Sequence, residues 1–230
     1  MSELVCINIL PVVLTLTAFL AAQRLQQKLK SPLLNPIVVT VIIVIVFAFS
    51  TGLPIRVYKN NMDALAWLLT PATVSLAVPM YKQFQQLKHN LAAIAAGVAA
   101  GTVACLILIL ALCGVFGFSR ILTLSLLPKS ITTAIGVVLS DMTGGMPGIT
   151  TAAIILTGIF ANILGPSFCR LFRITDPIAK GVAFGTAGHV IGTAKANELS
   201  PLTGAVSSLS LALSGILTAI FMPLVLLLVT

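Results

Sequence analysis

The sequence predicts an all-α integral membrane protein with about eight hydrophobic segments, some of them broken or re-entrant, and an internal repeat. Of its 230 residues, 58% are hydrophobic and 8% are charged, whereas a typical globular domain is about 25% charged. The mean hydropathy is +1.13. The apolar runs, such as 37–50 and 91–118, are continuous and lack the period of two that marks a transmembrane β-barrel. Runs of about 20 apolar residues suit membrane-spanning helices.

The apolar segments follow one another along the chain and are separated by short polar or basic stretches. The N-terminus carries Glu3 and has no basic n-region, so we expect 4–22 to be a retained helix and not a cleaved signal peptide. Gly97 and Gly101 form a GxxxG pair that predicts a close helix contact. We expect one transmembrane domain over 1–230. The other segments are predicted at about 33–51, 64–83, 91–116, 121–140, 148–169, 181–198 and 202–228.

Segments three, five and seven differ from ordinary membrane-spanning helices, because proline or glycine interrupts each of them. A broken helix at membrane depth needs a covering of protein or a water-filled cavity for its unpaired backbone groups. The stretches PATVSLAVP (71–79) and PKSITTAIG (128–136) align without gaps and indicate an internal repeat. Paired interrupted segments point to a transporter binding site. The predicted helix breaks are Pro71, Pro79, Pro128, Gly185, Gly188 and Gly192.

The distribution of basic residues favours a re-entrant fifth segment. If all eight segments cross the membrane, the loop Lys and Arg residues fall almost equally on both sides. If segment five enters and leaves on one side, loops 24–30, 82–88 and 170–180 share a side and hold most of the basic residues. The positive-inside rule favours this layout, with the N-terminus outside.

The run from Pro128 to Thr133 has the composition of an anion site. Proline suits the first turn of a helix, and the unpaired N–H groups behind it carry the positive end of the helix dipole. Lys129 adds a full charge, and Ser130, Thr132 and Thr133 add hydroxyl donors, so the run could cradle a small carboxylate. The simpler interpretation is a snorkelling lysine with hydroxyls that bond back to the helix.

The run GTAGHVIGTAK (185–195) is the second candidate. Its glycines allow unwinding or close packing, Thr186 and Thr193 are hydroxyl donors, and His189 could carry a proton. Lys195 could bind an anion or pair with Glu198. The simpler interpretation is a packing GxxxG with His189 hydrogen-bonded between helices. Asp141 and Glu198 are either proton or cation sites or solvated loop charges.

Composition argues against several other functions. The chain has four cysteines without a CxxC pair, two histidines and five acidic residues, so we expect no metal site, no cofactor and no catalytic triad. The net charge of +8 is scattered along loops, where membrane lipids explain it better than nucleic acid does. We therefore predict a membrane protein that is not an enzyme.

Several long motifs resemble the LrgB/CidB family and together cover nearly the whole chain. The resemblance implies a multi-pass protein of the cytoplasmic (inner) membrane. The family includes the membrane half of the plant plastid glycolate/glycerate transporter, and antiholin-like proteins that modulate murein hydrolase export beside a holin-like LrgA/CidA partner. We also expect a homo-oligomer. The motifs are LLNP (33–36), LLPKSITTAIG (126–136), GGMPGITTAAIILTGIFANILGP (144–166), RITDPIAKGVAFGTAGHVIGTAKANEL (173–199) and GAVSSLSLALSGILTA (204–219).

The chain departs from the family pattern at two positions. Ala134 stands where many relatives have proline, and Lys195 stands where many have arginine, so charge is kept without bidentate geometry. The matching family residues are Pro128, Lys129, Ser130, Thr132 and Thr133 in the first motif, and Gly185, Thr186, His189, Gly192 and Thr193 in the second.

Two functions fit these features. The first is a carrier of small monocarboxylates such as glycolate, glycerate, pyruvate or lactate. Segments five and seven would meet near the midplane, hold the carboxylate, and couple to protons through His189 or an acidic residue. The second is an antiholin-like component of a regulatory pore. A carrier has a saturable, stereoselective site, and a pore has no such site. The similarity between the stretches that begin at Pro71 and Pro128 favours the carrier.

Overall fold

The structure is a computed structural model that describes residues 2–29, 36–52, 55–62 and 67–227. The described residues form helices and connecting turns without strands, which confirms the all-α prediction. The predicted starts of segments two and three, at 33–35 and 64–66, lie outside the described residues. The chain divides into two compact units, Met1–Ser75 and Leu76–Thr230.

The first unit contains α1 (Ser2–Leu29), α2 (Pro36–Thr51), α3 (Ile55–Asn61) and α4 (Leu69–Ser75). Helix α1 runs beyond the predicted 4–22, because residues such as Gln and Lys in its last two turns are good helix formers. The Thr15 hydroxyl donates to the Pro11 carbonyl at 2.7 Å and lies 2.7 Å from the Tyr58 hydroxyl, which ties α1 to α3. Pro71 lies inside α4.

The second unit holds the three helices that are long and apolar enough to cross a membrane, among the residues described. These are α7, α10 and α12. Proline opens α10, α11 and α12, where a missing N–H is harmless. The elements of this unit are α5 (Ala77–Lys82), α6 (Phe84–His89), α7 (Leu91–Val115), α8 (Arg120–Leu126), the 3-10 helix η1 (Leu127–Ser130), α9 (Thr133–Met142), α10 (Pro147–Leu171), α11 (Pro177–Leu199) and α12 (Pro201–Leu226).

Helices α7 and α12 run parallel, as two buried clusters show. At one end of the bundle, Ile94 and Val98 near the start of α7 lie in a cluster with Ala205 and Val206 near the start of α12. At the other end, a second cluster combines residues late in α7 and late in α12, joined by α8 and η1. Its buried members are Leu106, Ile109, Cys113, Leu124, Leu127, Met222 and Val225.

The fifth predicted segment is a helical hairpin, which we call the first hairpin (Arg120–Met142). The Thr150 hydroxyl lies 2.8 Å from the Ser125 carbonyl and 2.6 Å from the Ser140 hydroxyl. An uninterrupted helix would separate these two serines by about 22 Å, so the chain turns back between them. The reversal follows η1, where Ile131 and Thr132 have extended backbone angles. A broken fifth segment is thereby confirmed.

The seventh segment, α11, also turns back on itself, and we call it the second hairpin (Pro177–Leu199). The backbone of His189 has φ 42° and ψ −138°, which no helix allows. A Cβ added to Gly181 would lie 2.8 Å from the Thr203 carbonyl, and one added to Gly204 would meet Asn197. A straight helix would place Gly181 and Asn197 about 24 Å apart. The sequence predicted a return for segment five alone.

The interruption of α11 falls at His189, whereas we predicted breaks at its glycines. Gly185, Gly188 and Gly192 keep helical geometry, and their missing side chains allow close approach instead. A Cβ at Gly188 would lie 2.6 Å from Ala161 Cβ, and one at Gly192 would lie 2.6 Å from the Phe184 carbonyl across the hairpin. A Cβ at Gly185 would meet the Ser207 carbonyl. The third segment is interrupted at Leu76, after Pro71 and before Pro79 in α5.

Candidate substrate-binding site

The two hairpins enter the second unit from opposite ends, and their tips meet inside it. The first hairpin opens where α7 ends, beside the cluster that contains Leu124. The second opens where α7 begins, because Ile178 and Val182 pack on the cluster around Ile94. The tips lean on the same residue of α10. The Ile154 carbonyl lies 2.7 Å from His189 Nε2, and a Cβ added to Gly136 would lie 2.7 Å from Ile154 Cδ1.

A groove of about 930 Å³ lies between α7, α10 and α11. Gly97 and Gly101 form part of its wall, and a Cβ on either would press on Val182 Cγ1 at 3.2 Å or Thr186 Cγ2 at 3.1 Å. The predicted close contact at this glycine pair is thereby confirmed. Most lining side chains are apolar. The polar and ionisable ones are Cys105, Lys129, Ser130, Thr157, Cys169, Asp176 and Thr186.

Lys129 brings a positive charge to this groove at the tip of the first hairpin. Its ammonium Nζ lies 3.3 Å from Ser130 Oγ and 3.9 Å from Cys105 Sγ, and its side chain is half-buried. Within the described part of the chain, the ion pair identified joins Lys195 to Glu198, and no carboxylate lies within 4.0 Å of Lys129. A partly buried cation without a counter-ion favours the binding of an anion.

The predicted anion cluster of the first hairpin is divided by the turn. Lys129 and Ser130 line the groove, and Ser130 Oγ also lies 3.1 Å from Cys105 Sγ. Thr132 and Thr133 do not line it, because the extended backbone at Ile131 carries them to the start of α9. There Thr132 is the N-cap residue without a side-chain bond, and Thr133 is exposed.

The GTAGHVIGTAK run contributes one residue, Thr186, to the groove. His189 is buried and donates its Nε2 hydrogen to the Ile154 carbonyl, which can only accept. The Thr193 hydroxyl donates to the His189 carbonyl at 2.8 Å and lies 2.9 Å from Ser207 Oγ. The pivot of the second hairpin is thus tied to α10 on one side and to α12 on the other.

The remaining predicted residues lie away from the groove. Lys195 pairs with Glu198 at 2.7 Å near the end of α11, which is one of the two roles we predicted for it. Asp141 is exposed in the last turn of α9. Asn162, midway along α10, donates from its side-chain amide to the Ile191 carbonyl at 3.2 Å. Among the described residues, no cluster of His, Cys, Asp or Glu side chains could hold a metal ion.

Sequence reasoning missed the part of α7 that faces the tip of the first hairpin. Cys105 lines the groove with Gly97 and Gly101, and residues four apart share one face of a helix. The GxxxG pair could therefore have indicated Cys105, because Cys105 lies one turn further along the same helix face. Gly158 was also missed. A Cβ there would lie 2.5 Å from His189 Cε1, so this glycine makes room for the imidazole.

A sequence model of the LrgB-like family matches residues 15–228, and so extends through both compact units. The chain belongs to the LrgB-like family. No solved structure matches it. Family membership, together with the long apolar helices α7, α10 and α12, identifies a helical membrane protein. The family motif residues Lys129, Ser130 and Thr186 lie on one groove.

Proposed function

We propose that this LrgB-like protein is a multi-pass carrier of short monocarboxylates, such as glycolate, glycerate or pyruvate, in the cytoplasmic membrane. One observation carries the proposal. The Lys129 ammonium lies at the tip of a helical hairpin, in a groove, with no described carboxylate to neutralise it. Many carriers bind their substrates where interrupted helices meet, and a positive charge at that place favours an anion.

The substrate carboxylate would bind between Lys129 Nζ and Ser130 Oγ, which are already 3.3 Å apart. Hydrogen bonds to ionised groups are roughly twice as strong as neutral ones. The mostly apolar groove walls strengthen them further, because little water screens the charges. A second carboxylate on the substrate would find no second lysine or arginine among the described groove residues, and this favours monocarboxylates.

The opposed entry of the two hairpins supports alternating access. Each tip is reached from a different end of the bundle. The helices approach closely at Gly97, Gly101 and Gly188, and movement of one helix past another would occur at these contacts. Proton coupling is part of the proposal. Because His189 Nε2 is occupied by the Ile154 carbonyl, coupling through His189 requires that this bond break during the cycle. Uptake driven by an imposed proton gradient, with and without His189→Ala, tests this step.

The decisive experiment is uptake of labelled glycolate and pyruvate into proteoliposomes that contain the purified protein. We expect saturable uptake in the wild type and a roughly 100-fold lower kcat/KM in Lys129→Ala, equivalent to about 2.7 kcal/mol. Lys195→Ala is the matched control, since it removes a lysine that pairs with Glu198 and does not line the groove. It should leave kcat/KM within about twofold of the wild type.

Flux that does not saturate and is indifferent to Lys129→Ala would contradict the carrier. That outcome would favour the antiholin-like alternative, in which the chain controls a pore with a holin-like partner. A second readout is independent of transport. Cys105 lies 3.9 Å from Lys129 Nζ in the groove, so substrate bound to Lys129 should shield it from thiol reagents.

A further inference from the structure

Behind the tip of the first hairpin lies a second, much smaller cavity of about 10 Å³. It lies between α7, η1, α11 and α12. Three of its lining residues also line the groove: Cys105, Ser130 and Thr186. A volume of this size holds about one water molecule, or one oxygen atom of a ligand. We call it the oxygen chamber.

The oxygen chamber is lined by hydroxyl groups, and two of them have no partner. Thr102 is 4% exposed and Thr186 is 6% exposed. Neither Oγ1 atom has a hydrogen-bond partner among the described residues. Buried hydroxyls are nearly always hydrogen-bonded, so two unpartnered hydroxyl residues in the lining of one cavity indicate a missing occupant. The other hydroxyl residues of the lining are Ser130, Ser214 and Thr218.

The charge around the chamber limits what the occupant can be. None of the described acidic residues lines it, and the Lys129 ammonium lies 3.3 Å from Ser130 Oγ at its border. A metal cation would therefore be repelled and would lack an anionic ligand. A whole carboxylate is too large for about 10 Å³. The fitting occupant is a single neutral oxygen.

We propose that the oxygen chamber receives the oxygen on carbon 2 of the substrate, and that Thr102 and Thr186 determine specificity for 2-hydroxy and 2-keto acids. This inference rests on the proposed carrier function. In such acids the carbon-2 oxygen is attached one bond from the carboxylate carbon. In the proposed pose, Lys129 and Ser130 bind the carboxylate, and the carbon-2 oxygen enters the chamber, which Ser130 also borders.

The two threonine hydroxyls suit both kinds of substrate. A 2-hydroxyl group can donate to one threonine oxygen and accept from the other, and a 2-keto oxygen can accept from both. A methyl group at the same position would leave both buried hydroxyls unpaired. Sites built to hydrogen-bond a substrate oxygen reject analogues that lack it far more strongly than apolar pockets reject a wrong shape.

The test compares glycolate with propionate, in which a methyl group replaces the hydroxyl at nearly the same volume. We expect the wild type to favour glycolate in kcat/KM by at least about 30-fold. Thr102→Val and Thr186→Val keep the side-chain shape and remove the hydroxyl, so each should reduce this ratio about tenfold. The double variant should show almost no preference. Thr102→Ser and Thr186→Ser should retain it.

Ser210→Ala is the matched control. Ser210 is 0% exposed and its hydroxyl also lacks a partner among the described residues, but it lines neither cavity. The glycolate-to-propionate ratio should not change in this variant. Thermal unfolding of each purified variant checks the fold. The valine and alanine variants should lose little stability, because each removes a hydroxyl that has no partner among the described residues.

A wild type that transports glycolate and propionate equally would overturn the inference, as would folded valine variants that keep the glycolate preference. Either result, with saturable uptake that depends on Lys129, would leave the carrier intact and assign the chamber to a structural water. Absence of saturable uptake in the wild type would overturn the carrier and the inference together.

Discussion

Both hairpins of the second unit turn back inside the bundle, but their turns have different backbone conformations and their tips have different surroundings. The first hairpin turns through a 3-10 helix and extended residues, and Lys129 at its tip lies beside a groove without a counter-ion among the described residues. The second turns at one strained residue, His189, and its tip is closed by hydrogen bonds to Ile154, Thr193 and, through Thr193, Ser207. The first tip therefore presents a charged donor to a groove, whereas the turn residue of the second tip is hydrogen-bonded inside the protein.

This difference separates two reasons for polar residues at membrane depth. A polar group that is satisfied inside the protein stabilises one arrangement of the helices. A polar group left open toward a cavity stabilises whatever enters that cavity. The same criterion separates the two threonines of the GTAGHVIGTAK run. The Thr186 hydroxyl has no hydrogen-bond partner among the described residues, and the Thr193 hydroxyl lies within hydrogen-bond distance of Ser207 Oγ.

The largest stability effect is expected at the pivot of the second hairpin. His189→Ala removes the bond to the Ile154 carbonyl, leaves that carbonyl buried, and should lower the free energy of unfolding by about 3 kcal/mol. His189→Gly should be more stable than His189→Ala by about 1 kcal/mol, since glycine tolerates φ 42°. Denaturant unfolding in mild detergent measures both.

A matched control for the pivot is Ala194→Gly, at an exposed position of the same helix. It should lose about 1 kcal/mol, the usual cost of glycine inside a helix. If glycine were also the poorer residue at 189, the second tip would not be strained and the comparison would break.

The next largest effect on stability is expected at Gly158, which packs against the His189 imidazole. In Gly158→Ala the new Cβ would lie 2.5 Å from His189 Cε1 and 2.9 Å from Ile191 Cβ. The hydrogen-bonded ring cannot move freely, so we expect a loss of about 2 kcal/mol in unfolding free energy. Gly148→Ala in the same helix meets nothing within 4 Å and should not destabilise. Equal stability of the two variants would contradict a fixed imidazole.

A smaller effect should mark the open tip. In a variant that retains Cys105 as its only cysteine, saturating glycolate should slow alkylation of the thiol by about fivefold, since the ligand fills the space between Cys105 and Lys129. The added variant Lys129→Met should abolish the protection and keep the labelling. Protection that survives in Lys129→Met would place the anion elsewhere and remove the functional contrast between the two tips.

The smallest effect is expected at the Lys195–Glu198 pair, which lies on neither tip. The Lys195 side chain is 27% exposed and the Glu198 side chain is 66% exposed, and ion pairs of this kind contribute about 0–1 kcal/mol. Glu198→Gln should therefore change thermal unfolding and uptake little. A large loss of uptake would give Glu198 the coupling role that we considered from the sequence.

Local chemistry made much of this fold predictable from the sequence. Prolines and polar residues inside apolar runs identified segment five as broken, and the pattern PKS placed a cation at its tip. The path of α11 could not be predicted, because its reversal depends on a non-glycine residue at positive φ. His189 is bonded to the Ile154 carbonyl, and its own carbonyl accepts from Thr193, which in turn contacts Ser207. The glycines nearby suggested breaks, and only the packing partners show that they are contact points.

The candidate site was predictable in part for a similar reason. Lys129, Ser130 and Thr186 belong to recognisable motifs, and the groove contains them. Thr102 and Cys105 follow the GxxxG pair of an alanine-rich helix and belong to no longer motif, and their neighbours in the fold are distant in sequence. Unpartnered hydroxyls are a property of three-dimensional packing, and no sequence pattern records them.

The two returning hairpins also determine how the charged residues of the second unit are distributed between the two ends of its helix bundle. Because each hairpin brings the chain back to the end from which it entered, α7, α10 and α12 alone carry the chain from one face to the other. The stretches around Arg120 and Asp141 then share one face, and their charges cancel. The other face collects the excess of positive charge, from Lys82, Lys88, Arg170, Arg173 and Lys180. The positive-inside rule associates such a face with the cytoplasmic side of a membrane.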